Sequence, residues 1–78
     1  MLITIAFGPD YEDNAHELGS AIKSRWSTAD VSYIGLSSPE YSEKYQVQLE
    51  KDIVYNKRSN ESIESVDNTI TKIENKYG

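Results

Sequence analysis

His16 is the only histidine in the 78 residues, and carboxylates surround it: Glu12 and Asp13 come shortly before, Glu17 directly after. Residues three and four apart share a helix face, so on a helix Glu12, Asp13 and His16 would cluster. An imidazole among carboxylates can hold a divalent cation. It can also work as a general acid–base pair, because histidine titrates near neutral pH. The plainer reading is a solvated helix start whose acids complement the helix dipole. That reading is the stronger one. A lone histidine also rules out a His-rich zinc set and leaves a serine nucleophile little choice of base.

Other chemistry finds less support. No serine sits in Gly-x-Ser-x-Gly, and neither a Walker loop nor Gly-x-Gly-x-x-Gly occurs. Asp10, Glu12 and Asp13 at the first helix start would repel a phosphate rather than cradle it. The chain has no cysteine, so disulfides, thiolate zinc sites and thiol–disulfide exchange are all excluded. No cofactor, no metal and no enzymatic activity are expected.

The six tyrosines offer a different kind of function. Tyr gives large amphipathic contact area and is enriched at interface hot spots. Tyr33, Tyr45, Tyr55 and Tyr77 are expected to fill a small core with their hydroxyls at its rim. For Tyr11 and Tyr41, in loops, core and contact roles are evenly balanced.

These side chains need a scaffold, and the hydropathy pattern supplies one. Leu2 to Phe7 is apolar on both sides, which suits a central strand covered on both faces. Gly8 and Pro9 stop it. From about Asp13 to Ser27, Ala15, Leu18, Ile22 and Trp26 make a helical stripe, with Lys23 and Arg25 at the end the dipole favours. Gly19 either weakens this helix or lets it sit close to the sheet.

Asp30 to Leu36 reads as a second strand, joined to the first in a parallel, right-handed βαβ unit. After a polar loop, Ser37 to Glu43, the residues Tyr45, Val47 and Leu49 alternate with Lys44, Gln46 and Gln48 as a half-buried strand. The run "IVYNK" returns after a short turn and completes a hairpin. Then "SNES" offers helix caps, and Ile63, Val66, Ile70, Ile73 and Tyr77 repeat at three and four. This is the strongest period in the chain. It fits packing on the sheet better than a coiled coil, which needs more turns.

Length and composition fit one small domain, residues 1–78, with 37% hydrophobic and 27% charged residues. The net charge of −5 speaks against nucleic-acid binding, and Lys57–Arg58 is the only adjacent basic pair. No run approaches a membrane span and no signal peptide opens the chain, so a soluble, cytoplasmic protein is expected. Abundant Asn, Ile, Lys, Ser and Tyr suggest an AT-rich coding genome, viral or bacterial.

The order βαββα, with a proline-containing loop after the first strand, resembles a compact thioredoxin-like domain, an α/β fold with a four-stranded mixed sheet and two helices. More narrowly it resembles the selenoprotein W-like (Rdx) family, whose first strand leads into Cys-x-x-Cys or Cys-x-x-selenocysteine. In "ITIAFGPDY", Gly8 and Tyr11 stand where those two residues would be, and Pro9 matches a proline often found after the first. In "EKYQVQLEKDIVYNKR", Tyr45, Gln46 and Val47 take the aromatic-polar-Val positions of the family hairpin, while Ile53, Val54 and Lys57 fit the returning strand. The glycine before Tyr45 and the glycine of the hairpin turn are missing. The resemblance implies the scaffold, and the missing thiols remove its activity. Pro39 lies too far before the strand to stand in for the cis-proline of thioredoxins.

The expectation that follows is a non-catalytic protein-interaction module, binding a protein partner through Gly8, Pro9, Asp10 and Tyr11, with Tyr41 beside them if its loop folds back. The alternative is a small acidic inhibitor or adaptor, such as a virus-encoded protein, that meets a basic host surface. A homodimer through the edge strand "VSYIGL" is a third reading.

Overall fold

The computed structural model describes residues 1–57 and 60–77. Strand β1 (Leu2–Phe7) leads through a 3-10 turn at Pro9–Tyr11 into α1 (Glu12–Arg25), and β2 (Asp30–Gly35) follows. A second 3-10 turn, Pro39–Tyr41, precedes the hairpin of β3 (Tyr45–Leu49) and β4 (Asp52–Asn56), and α2 (Val66–Tyr77) closes the chain. The strands lie in the order β2-β1-β3-β4. β1 and β2 are parallel, while β3 runs antiparallel to both β1 and β4. This is the expected mixed α/β architecture, consistent with a thioredoxin-like fold in general.

The core sits between the helices and one sheet face. Ile3, Ile5 and Phe7 of β1 and Tyr45, Val47 and Leu49 of β3 meet Ala15, Leu18 and Ile22 of α1 and Ile73 of α2. The alternation read from β3 therefore predicts its buried side correctly. The expectation of two covered faces on β1 does not hold: Leu2 is exposed, and Thr4 and Ala6 are half-buried. Both helices pack on the same side, and residues 36–44 contribute only a short turn where a further helix would be needed. The apolarity of Leu2 and Ala6 reflects a neutral sheet face rather than a buried one.

Local chemistry sets the helix ends. α1 stops where Trp26 takes an extended conformation, its N–H still donating to the Ile22 carbonyl. α2 begins later than its apolar period suggests. The Ser65 hydroxyl accepts the Asn68 N–H at 3.1 Å, the bond of an N-cap, so Ser65 and not the "SNES" run starts the helix; Ser59 of that run lies outside the described residues. Just upstream, the Glu64 N–H donates to the Tyr55 hydroxyl, holding residues 63–64 against β4. No helix among the described residues is long and apolar enough to cross a membrane.

Gly19 explains itself in this packing. A Cβ there would overlap the Tyr33 hydroxyl and lie 2.7 Å from its ring carbon Cζ. The missing side chain lets the β2 tyrosine lie across α1.

Candidate functional site

The β1–α1 junction is built on a close backbone approach. Gly8 is buried, and its N–H donates to the Lys44 carbonyl at 2.8 Å. A Cβ on Gly8 would overlap the Tyr41 carbonyl oxygen and come within 2.6 Å of the Ser42 carbonyl oxygen. Its backbone, φ −83° and ψ 170°, suits any residue, so glycine is needed for space and not for conformation. The loop before β3 therefore does fold back, and it rests on Gly8.

Two short turns, distant in sequence, thereby form one ridge. Pro9 and Asp10 are exposed on the first turn, and Tyr41 is 42% exposed on the second. Proline opens each turn and pre-sets its backbone. Gly8 acts from beneath as the seat of the second turn and presents no surface of its own. Tyr11 is half-buried: its ring meets Tyr45 edge-on at 5.8 Å between centroids, and the Lys57 ammonium sits 5.4 Å from the ring centre. Tyr11 is thus chiefly a packing residue, and Pro9, Asp10 and Tyr41 are the members left facing solvent.

Hollows flank the ridge. On the β2 side a shallow cavity of about 260 Å³ is lined by Phe7, Pro9, Glu12, Gly35, Leu36 and Ser37. It lies beyond the C-terminal ends of the parallel pair, where open α/β sheets commonly hold ligands. On the β3 side a polar cleft of about 160 Å³ is lined by Glu40, Tyr41, Ser42, Glu43, Lys44 and Lys57. The sequence pointed to neither Leu36 nor Lys57 as part of this region. Leu36 reads as the end of the second strand and Lys57 as part of the returning strand, yet Lys57 is nearly buried. Its aliphatic stem covering apolar surface is the physical precedent, and only the fold reveals it.

Beneath the ridge, Tyr45 continues the aromatic stack to Tyr55, 6.1 Å between centroids. Burial pushes the Tyr45 phenol up to about 12, with nearby Tyr55 and Glu17 adding to the shift. Tyr33 and Tyr77, expected in the core, are partly solvent-exposed instead, Tyr77 resting edge-on against Trp26.

His16 does not gather the neighbouring acids around it. Its ring lies 4.4 Å from that of Tyr33 and edge-on to Phe7 at 6.1 Å. Among the described residues, no three His, Asp or Glu side chains come together in a metal-holding group. No family model, characterised protein or solved structure matches this chain. The likeness to thioredoxins rests on strand order and helix placement, and the absence of cysteine leaves that scaffold redox-inactive.

Proposed function

We infer that the chain is a non-catalytic protein-interaction module on a redox-inactive thioredoxin-like scaffold, of selenoprotein W-like descent, and that it binds a protein partner through the Pro9–Asp10–Tyr41 ridge. The observation that carries this reading is the seating of the Pro39–Tyr41 turn on Gly8. It holds Tyr41 and the first turn in one fixed arrangement, so binding need not order them afresh. Tyr41 supplies contact area, Pro9 a rigid apolar edge, and Asp10 with Glu40 and Glu43 a field that selects a basic residue on the partner.

The test is a footprint. Peptides selected for binding from a random library are titrated into isotopically labelled protein, and backbone amide shifts are followed by NMR. The reading expects Lys- or Arg-containing peptides whose shifts centre on residues 10–12 and 40–44, with Asp10→Asn weakening binding several-fold. A footprint elsewhere, unaffected by Asp10→Asn, overturns it. Tyr11→Ala is a poor probe of contact, since Tyr11 packs on Tyr45 and its loss would disturb the fold.

A further inference from the structure

The sheet has two edges, and only one is guarded. β4 carries a register shift against β3 between Val47 and Gln48, and it opens on Asp52 directly after Lys51. Bulges and charges of this kind block edge-to-edge pairing. β2 also opens on a charge, Asp30, but carries no register shift. It pairs with β1 in unbroken register from Asp30 to Gly35, and Val31 to Leu36 contains no charge and no proline.

The free hydrogen-bonding groups of β2 can be assigned. The Asp30 N–H donates to the Met1 carbonyl and the Leu36 N–H to the Phe7 carbonyl, each at 2.8 Å. Backbone groups alternate along a strand, so the even-numbered residues face β1. Val31, Tyr33 and Gly35 therefore turn their N–H and C=O groups outward.

We propose that β2 pairs antiparallel with β2 of a second copy of this chain, about a two-fold axis through Tyr33. In this register Tyr33 faces Tyr33 of the second copy, and Val31 faces Gly35 of the second copy. All three outward residues then exchange both backbone hydrogen bonds, as closely spaced antiparallel pairs do. A shift by two residues in either direction strands some of these groups. Asp30 meets Leu36 of the second copy, so no like charges are apposed along the strands.

Charge on α1 favours a second copy over an unrelated strand. One stripe of α1 runs along the β2 edge. Glu12 lines the cavity at Gly35 and Leu36, His16 stacks on Tyr33, Gly19 lies beneath the Tyr33 hydroxyl, and the Lys23 ammonium donates to the Ala29 carbonyl at 2.9 Å. With strands spaced ~4.8 Å apart, the two-fold sets the α1 helices roughly 10 Å apart, an ordinary packing distance. They run antiparallel, so the Glu12 end of each lies beside the Lys23 end of the other. Tyr33 fills the space between them. The Pro9–Asp10–Tyr41 ridges remain free at opposite ends of the pair.

The chain has no cysteine, which makes cross-linking a clean test. Ser32 and Ile34 are both exposed, and in this register Ser32 faces Ile34 of the second copy in a widely spaced pair, about 4.5 Å between Cα atoms and within disulfide reach. An equimolar mix of Ser32→Cys and Ile34→Cys chains should form a disulfide dimer at least tenfold faster than either variant alone. Sedimentation of the wild-type chain should show a concentration-dependent doubling of mass. Gly35→Pro removes an outward N–H while leaving intrachain pairing intact, and should weaken association at least tenfold with an unchanged circular dichroism spectrum. A monomer at millimolar concentration overturns the proposal. So does cross-linking of the mix no faster than the single variants, or a chain that stays monomeric while its β2 edge takes up an extended peptide.

Discussion

Replacing Gly8 by alanine tests the join on which the candidate surface depends. At the Gly8 backbone conformation, alanine is intrinsically at ease, and the exchange alone should stabilise by ~0.4–1 kcal/mol through the unfolded chain. The surroundings reverse the sign. The new methyl would overlap the Tyr41 carbonyl oxygen and lie 2.6 Å from the Ser42 carbonyl oxygen, well inside the roughly 3.5 Å of a favourable contact. Both neighbours are backbone atoms, so no rotamer change relieves the overlap. The 36–44 segment must lift, straining the bond from the Gly8 N–H to the Lys44 carbonyl. Overpacking of this kind costs about 1–3 kcal/mol and a weakened hydrogen bond about 1 more, leaving a net loss of about 1–3 kcal/mol. For a domain of this size each kcal/mol lowers Tm by ~4–8 °C. Urea and thermal unfolding followed by circular dichroism measure it, with Gly8→Ser as a companion because it adds the same Cβ. An alanine variant as stable as the parent, or more so, would refute the packing argument.

Gly19→Ala should behave as one arm of a cycle. With Tyr33 present, overlap with its ring offsets the ~1 kcal/mol helix-propensity gain and leaves the variant neutral or less stable; in a Tyr33→Thr background the same change should stabilise by about 1 kcal/mol. Additive effects in urea melts would contradict that. The Tyr45 phenol, raised by burial, binds its proton more tightly folded than unfolded, so its contribution is present below pH 10 and lost as pH climbs toward about 12. Between pH 9 and 11.5 the parent should therefore lose roughly 2 kcal/mol more than Tyr45→Phe; parallel declines would show the phenol is not desolvated. Ile73→Ala, at the fully buried contact of α2, should cost about 2–5 kcal/mol, a large share of the total stability, and melt the domain near room temperature.

Much of the scaffold was legible because its signals are local. Tyr45, Val47 and Leu49 alternate, and all three are buried; Ala15, Leu18 and Ile22 keep helical spacing and line the core. What misled was information the chain keeps elsewhere. Whether β1 is covered on one face or two depends on residues 36–44, far along the sequence, and Leu2 and Ala6 cannot signal it. The helical period that opens at Ile63 would take in Glu64, yet the Glu64 N–H donates to the Tyr55 hydroxyl and α2 starts only at Val66. The candidate surface was half visible. Pro9, Asp10 and Tyr41 stood out as loop residues, while the reason for Gly8, a carbonyl arriving from thirty-odd residues later, appears only in the folded chain. Tyr11, evenly balanced between core and contact roles by sequence, packs edge-on against Tyr45 with the Lys57 ammonium near its ring.

The claim that the ridge binds protein is tested most directly by one titration series. A peptide selected on the parent chain is titrated calorimetrically into the parent, Tyr41→Ala and Ile53→Ala. Tyr41 and Ile53 are comparably exposed, but Ile53 lies on β4, away from the ridge. Tyr41→Ala should lose at least tenfold in affinity and Ile53→Ala none. Equal affinities across all three proteins would contradict it.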